Sequence, residues 1–580
     1  MTRFHGVLLA LLLSSACSGI GKQIDQLDTP VHHVLSFGRR GLPIDPSGND
    51  CEDDSAFYCQ GTQSSLRGSR SFIGPYERSE AESPELKTKY DKHIDNILCA
   101  IAQSEKKEIL IFVHGGLGSR KGSQRRVKVL ERLIADEGQP HGDRVFPIFI
   151  NWRASLKSTY TDSVFFLRQG KRQNRNPIYI AMSPFYFLAD IGRGLVRAPL
   201  LWIQVIKNSW RNLPDGLYKD SVRRKMNQLN DDGPDSTFWR NDTSCPPSLR
   251  GAATKVPLVV TIPSKLALAP ILSGVGTSAW IGMQRRTDTL FYNDDYYHRG
   301  FLKEPDAKEE ESHPEGYLAI FLDRLEQRLE EGSPCGKPLP SDLSITLVGH
   351  SMGAIVINQI LKLHGDLPIR RVVYMAAASS VRDYEEITIP YLESEESAEV
   401  FHLGLNMKAD VSETNWKALD LIPRGSLLVW LDDFLDDPRI TPDRVAGYFR
   451  NLPKVADLDG QEEVAKRIHM KSYGYGRCSA ATDPQKHGHF SSRFKLWDPT
   501  CWEPENRNCL WGFDAETGRC ASPPDGVECP WGWNGETQMC RIESEGTLPC
   551  YAETGWKKKW FELEKVSSRS SVTPAPKELR

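Results

Sequence analysis

Residues 349–353 read Gly-His-Ser-Met-Gly, with a glycine two places to either side of one serine. They follow the apolar run Leu343-Ser-Ile-Thr-Leu-Val348 and precede Ala354-Ile-Val-Ile-Asn-Gln-Ile-Leu361. The first run suits a buried strand and the second a helix, so the serine falls on a sharp strand-to-helix turn. The glycines let the backbone turn without Cβ clashes, which lifts the hydroxyl above the sheet edge beside a helix N-terminus. Ser351 is thereby presented as a nucleophile. A serine hydroxyl needs a base to take its proton, and the base needs an acid to hold its ring. Histidines His114, His487 and His489, and several carboxylates downstream of Ser351, are the residues that could supply them. No motif for ATP, NAD, flavin or a catalytic metal accompanies them, so neither cofactor nor metal is expected.

The elements that position these groups follow from hydrophobic periodicity. Tyr90, Ile94, Ile97, Leu98 and Ile101 recur at helical spacing. Ile109 to Val113 is a continuous apolar run with β-branched residues that suits a buried parallel strand. Val127, Leu130, Leu133 and Ile134 predict a helix after it, and Val145 to Ile150 the next strand. Further strands are expected over 371–376, 399–406 and 466–473. Strands alternating with helices predict an α/β fold, a sheet flanked by helices, in a domain spanning 85–500. Asp432 and Asp433 lie in an apolar helical pattern and are expected to be solvated charges.

Between about 152 and 340 the alternation breaks down, which predicts a long insertion before the nucleophile strand. Residues 177–189 and 266–284 within it are uncharged and partly apolar. The second is long enough to raise a membrane-spanning question, but Pro270, Gly274, Gly276 and Gly282 lower its helix propensity and favour a buried or cleft-lining role. The insertion is expected either to cap the nucleophile, favouring acyl chains or lipid surfaces, or to pack against the sheet.

The serine turn resembles the nucleophile elbow of the α/β-hydrolase family of serine esterases and lipases, and Phe112-Val-His114-Gly115-Gly116-Leu117-Gly118 resembles its His-Gly-Gly turn. The resemblance implies that backbone amides near Gly115 and Gly116, with that of Met352, form the oxyanion hole, and that His114 is structural. It places the base late in the domain. His487, in Lys486-His487-Gly488-His489-Phe490, is chosen over His489 because His-Gly-x-Phe before an aromatic stretch resembles hydrolases whose first histidine is catalytic. The family's chain order confines the acid between Ser351 and His487, where Asp410 has the position the family usually gives it and Asp383 is the runner-up. The expected activity is hydrolysis of carboxylic esters, lipid or acyl-chain esters among them, by a Ser351–His487–Asp410 triad, with amides not excluded.

The N-terminus sets the compartment. Arg3, the apolar run Val7 to Leu13 and Ser14-Ser15-Ala16-Cys17 have the layout of a secretory signal peptide over 1–16. The run also resembles a bacterial lipoprotein signal, which implies lipidation of Cys17 and an outer-membrane or cell-surface lipoprotein. Simple cleavage after Ala16 implies a periplasmic or secreted protein instead. Residues 17–84 read as a leader arm.

Of 13 cysteines, Cys501, Cys509, Cys520, Cys529, Cys540 and Cys550 crowd the end, and two cysteine-bounded stretches, 509–520 and 529–540, repeat at a period of 20. Without a paired CxxC knuckle, disulfides are expected rather than zinc, giving a small disulfide-rich module over 501–580. The net charge of −3 over 580 residues provides no basic field for nucleic acid, which is not an expected partner. The expected partners are an ester or lipid substrate and, through the N-terminal anchor, a membrane. A rival expectation from the same residues is a catalytically inactive surface protein that keeps the scaffold while its tail binds a partner or glycan.

Overall fold

The computed structural model describes residues 31–38, 41–44, 84–116, 127, 130, 145–152, 154–165, 167–168, 171–172, 177–212, 238–240, 260–292, 316–414, 420–436, 440–455, 461–473, 484–490 and 496–497, with four two-residue strands between 513 and 540. Residues 1–16, read as a signal peptide, Cys17, most of the stretch read as an arm and most of the cysteine-rich tail lie outside the described residues.

The fold is α/β, and a nine-stranded sheet carries it. In chain order the strands are β1 (Val34–Phe37), β2 (Pro43–Ile44), β3 (Glu108–Val113), β4 (Val145–Trp152), β5 (Phe238–Arg240), β6 (Ser344–His350), β7 (Ile369–Met375), β8 (Glu399–Gly404) and β9 (Ile468–Ser472). Their order across the sheet is β2-β1-β4-β3-β6-β7-β8-β9-β5. β1 and β2 pair antiparallel and every other neighbouring pair is parallel. Parallel strands are covered on both faces, which is why β3 and β4 read as unbroken apolar runs and why β4 is buried throughout.

The longer helices are α1 (Pro84–Ser104), α2 (Leu156–Phe165), α3 (Pro177–Val196), α4 (Ala198–Arg211), α5 (Ile262–Asp288), α6 (Tyr317–Glu331) and α7 (Gly353–Leu363). The stripe Tyr90, Ile94, Ile97, Leu98 and Ile101 of α1 is buried as its spacing predicts. Tyr90 donates its hydroxyl hydrogen to the carbonyl of Tyr317, and Arg324 pairs with Asp91, tying α1 to α6. α7 packs on β6, with Val356, Ile357 and Ile360 inward.

Three findings differ from the sequence reading. Part of the stretch read as an arm belongs to the sheet: Val34 to Phe37 pair in register with Phe149 to Trp152. Four residues are too few to show a period, so composition alone hides the strand. Within the stretch read as an insertion, β5 forms the far edge of the same sheet, with Phe238 to Arg240 beside Met470 to Ser472.

Asp432 and Asp433 are buried rather than solvated. Over Leu431–Leu435 the helix widens to a π turn. Asp433 there meets Arg211 at 2.9 Å, and Asp432 takes Arg444 at 2.8 Å, the Val445 N–H and the Asn451 amide. Paired cations make that burial tolerable, and Arg211, 222 residues from Asp433, is one that a local pattern cannot show.

The tail repeat has a structural counterpart. Phe513–Asp514 pairs with Arg519–Cys520, and Trp533–Asn534 with Met539–Cys540, two antiparallel ladders in the same register 20 residues apart. The disulfides expected in the tail rest on side chains outside those described.

Candidate active site

β6 ends at His350 and α7 begins at Gly353, so Ser351 occupies the turn between them. Its φ is 57°, left-handed backbone at a non-glycine residue. The turn is pinned: the Ser351 N–H donates to the Met375 carbonyl at 2.9 Å, while the Ser351 carbonyl accepts from Ala354 and Ala378. The flanking glycines are needed because neighbours come too close for a side chain. A Cβ on Gly353 would lie 2.2 Å from the Val113 carbonyl oxygen, and one on Gly349 would lie 2.6 Å from Ile357 Cδ1. Ser351 is 1% exposed, and its Oγ has no hydrogen-bond partner among the described residues.

β3 runs beside β6 and delivers the second glycine turn to the same place. A Cβ on Gly115 would lie 2.7 Å from Ser351 Cβ, and one on Gly116 would lie 2.6 Å from Met352 Sδ and from Met283 Cε of α5. Gly115, Gly116, Ser351 and Met352 are therefore adjacent, and the missing Cβ atoms are what permit it. Met352 and Gly353 open α7, where N–H groups lack intrahelical acceptors and the helix end favours negative charge.

His114 holds this turn. The Trp152 N–H donates to its Nε2, so Nδ1 carries the proton and donates to the Gly115 carbonyl at 2.7 Å. A trans peptide sets C=O and N–H antiparallel, so fixing the Gly115 carbonyl also fixes the Gly116 N–H, directed away from the His114 ring.

His487 is buried in a short turn after β9, and His489 is half-buried with Nδ1 accepting from the Gln485 N–H. His350 links His487 to the serine turn. Its Nε2 lies 3.0 Å from the His487 carbonyl oxygen, and the two rings are 5.0 Å apart. Nothing in the sequence singled out His350 beyond its place in the motif.

Asp410 lies on the short helix Met407–Ser412 after β8, fully buried. Its carboxyl accepts the Ser426 hydroxyl at 2.7 Å and the Phe449 N–H at 3.2 Å. Burial pushes its pKa up to about 8, against the opposing pull of those two donors. Glu413, three residues on, accepts the His487 N–H at 3.0 Å, and burial raises its pKa too. Glu413 lies in the sequence window that contains Asp410; what marks it is a contact across 74 residues, which spacing does not reveal. Asp383 closes a capping box with Ser380, a local task that occupies its carboxylate.

Among the described residues, Asp323, Glu326 and His364 bring donor atoms close enough to hold a metal ion. They belong to α6 and the end of α7, share no residue with the serine turn, and Asp323 is open to solvent. The chain matches no protein-family model, and neither curated proteins nor solved structures provide a significant match.

Proposed function

We propose that this chain is a serine hydrolase that cleaves carboxylic esters through an acyl-enzyme on Ser351. The observation that carries the proposal is Ser351 itself, a non-glycine residue at φ 57° between a sheet strand and a helix, with a buried hydroxyl that has no partner among the described residues. A strained backbone conformation of this kind costs of order 1–3 kcal/mol, and an unsatisfied buried polar group costs about as much. A serine kept under both costs, against two glycine-built turns, has the features of a nucleophile elbow. The strand-turn-helix context and the neighbouring His-Gly-Gly turn support assignment to an α/β-hydrolase arrangement.

In this mechanism Ser351 Oγ attacks the ester carbonyl carbon as His487 takes its proton. Negative charge on the former carbonyl oxygen is met by N–H groups of the Gly115–Gly116 turn and of Met352 at the start of α7. The tetrahedral intermediate collapses, the C–O bond to the alcohol breaks, and His487 returns the proton to the leaving oxygen. Water then repeats the sequence on the acyl-serine and releases the acid. The acid that orients His487 comes from the segment after β8, where Asp410 is expected from chain order and Glu413 touches the His487 main chain. With this reading go export by the N-terminal segment, lipidation of Cys17, an insertion over 152–340, and a disulfide-rich module over 501–580.

Reaction with a fluorophosphonate probe tests the reading. The full-length protein should be labelled at one site and should hydrolyse a short p-nitrophenyl ester, while Ser351→Ala should do neither and keep its circular dichroism. Turnover unchanged in Ser351→Ala would sink the proposal. A folded parent protein that resists the probe would favour the inactive interaction protein.

A further inference from the structure

α3 and α4 are arranged inside out. Among the described side chains of α3, the buried positions are Ser183, Asp190 and Gly194. Phe185, Leu188 and Val196 of α3, with Leu200, Ile203 and Ile206 of α4, are 48–83% exposed. Ten of the 14 exposed large hydrophobic residues among the described residues belong to these two helices. A water-facing helix carries its apolar stripe inward, whereas α3 turns its acid inward and its large apolar side chains outward.

The polar side is used inside. Asp190 accepts the Ser278 hydroxyl at 2.9 Å and the Tyr160 hydroxyl at 3.3 Å. Asn208 donates to the Arg424 carbonyl, and Arg211 pairs with Asp433. Close packing of α3 on α5 depends on small residues, since a Cβ on Gly194 would lie 1.9 Å from the Pro270 carbonyl oxygen and one on Gly274 would lie 2.0 Å from that of Asp190. Small residues at the contact, polar groups as glue and apolar side chains outward are the packing rules of helices whose solvent is hydrocarbon.

Charge identifies the occupant. Over 177–212 the sole acid, Asp190, points inward, whereas the two exposed charges, Arg193 and Lys207, are cations. Trp202 and Trp210, about half exposed, add the aromatic residues that favour a bilayer interface. We infer that the exposed face of α3 and α4 lies on an anionic lipid bilayer, in the plane of the interface.

Surface attachment fits better than crossing. α5 is the described helix long and apolar enough to span a membrane, but half of its apolar window is buried. It packs against α2, α3, α4 and the π turn at Leu431–Leu435. Basic residues beside an apolar helix face are the composition of an interfacial helix. The attachment does not depend on lipidation at Cys17 or on hydrolysis. Joined to the function proposed above, it makes esters drawn from a bilayer the substrate class, because α5 carries Met283 to Gly116 from the same helical layer.

The test uses full-length protein carrying Cys17→Ser, so that acylation plays no part, with vesicles of phosphatidylcholine and phosphatidylglycerol. Partition by flotation is compared with Phe185→Ser/Leu188→Ser/Leu200→Ser/Ile203→Ser and with Arg193→Glu/Lys207→Glu. In parallel, brominated lipid quenches tryptophan fluorescence in the parent and in Trp202→Phe/Trp210→Phe. Expected are about a tenfold or greater loss of partition in the serine variant, a smaller loss that grows with phosphatidylglycerol content in the charge variant, and loss of most of the quenchable signal without Trp202 and Trp210. Ser351→Ala should bind as the parent does, which keeps this result separate from the hydrolase reading. Circular dichroism should be unchanged, since the altered residues are exposed. Quenching that survives removal of both tryptophans would overturn the inference. So would a parent that is dimeric by light scattering and becomes monomeric in the serine variant, since the face would then belong to a second copy.

Discussion

The imidazole of His350, the residue before the candidate nucleophile, donates through Nε2 to the main-chain carbonyl of His487 at 3.0 Å. A carbonyl oxygen only accepts, so this bond fixes the His350 tautomer and joins the serine turn to the loop that carries the candidate base.

His350 is accordingly a positioning residue. His350→Phe keeps a ring against His487 and removes the donor, and one net hydrogen bond is worth about 0.5–1.5 kcal/mol. The expected result is a kcat about 3- to 10-fold lower on p-nitrophenyl esters with KM little changed. His350→Gln, which restores a donor, should recover part of the loss. A change confined to KM would instead place His350 in the substrate pocket.

The two acids after β8 differ in what they touch: Glu413 accepts the His487 N–H, whereas Asp410 accepts from Ser426 and Phe449. With a pKa of about 8, Asp410 is largely neutral at pH 7, and a neutral carboxyl stabilises an imidazolium poorly. At pH 7, Glu413→Gln should therefore lower kcat more than Asp410→Asn does; the reverse order would return the orienting role to Asp410.

Asp410 also sets a sign for stability. Its folded pKa lies above the unfolded value near 3.9, so its contribution is complete below about pH 4 and is lost as pH rises through 8, by at most about 1.4 kcal/mol per pH unit. In urea titrations, Asp410→Asn should gain stability relative to the parent across that window.

Cys99 of α1 and Cys335, before β6, hydrogen-bond each other as free thiols. Burial pushes the Cys99 thiol up to about 11, whereas Cys99 and Ser333 as donors lower that of exposed Cys335. Cys335 is the sulfur poised to attack, because the thiolate is the nucleophile in exchange. With oxidised glutathione, Cys335 should form a mixed disulfide that Cys99 resolves, releasing two reduced glutathiones. Peptide mapping should then find Cys99 joined to Cys335; stable glutathione on Cys335 alone would count against the pairing.

His402 is buried between Tyr374 and Tyr384, neither ring nitrogen has a hydrogen-bond partner among the described residues, and burial lowers its pKa to about 4. The unfolded chain takes up a proton near pH 6.5 that the folded chain refuses until about 4. Stability should fall across that window by up to about 1.4 kcal/mol per pH unit. His402→Phe should flatten this part of the curve in thermal melts from pH 7 to 4. An unchanged slope would mean that the ring is protonated in the fold.

Periodicity revealed the centre of the molecule. β3, β4, β6 and α7 are long enough for their apolar patterns to show, and the glycines at 115, 349 and 353 mark where backbones crowd. The outer strands were hidden because Val34–Phe37 and Phe238–Arg240 gain their identity from partners more than 100 residues away. The burial of Asp433 is hidden for the same reason, since Arg211 lies 222 residues upstream. Glu413 and His350 gain their significance from His487, a relation that exists only after the chain has folded.

The outermost strand β5 has a further consequence, for the order of assembly. Residues 238–240 pair with 470–472, so the segment emerges about 230 residues before its partner exists. Closing so long a loop is paid in chain entropy before any contact returns it, which makes such pairings slow. Until β9 is made, β5 remains an unpaired edge and the helices that follow it have an incomplete platform. A chain shortened before 468 would therefore lose the dock for a strand synthesised long before, so that assembly at this edge proceeds from the end of the domain back toward its middle.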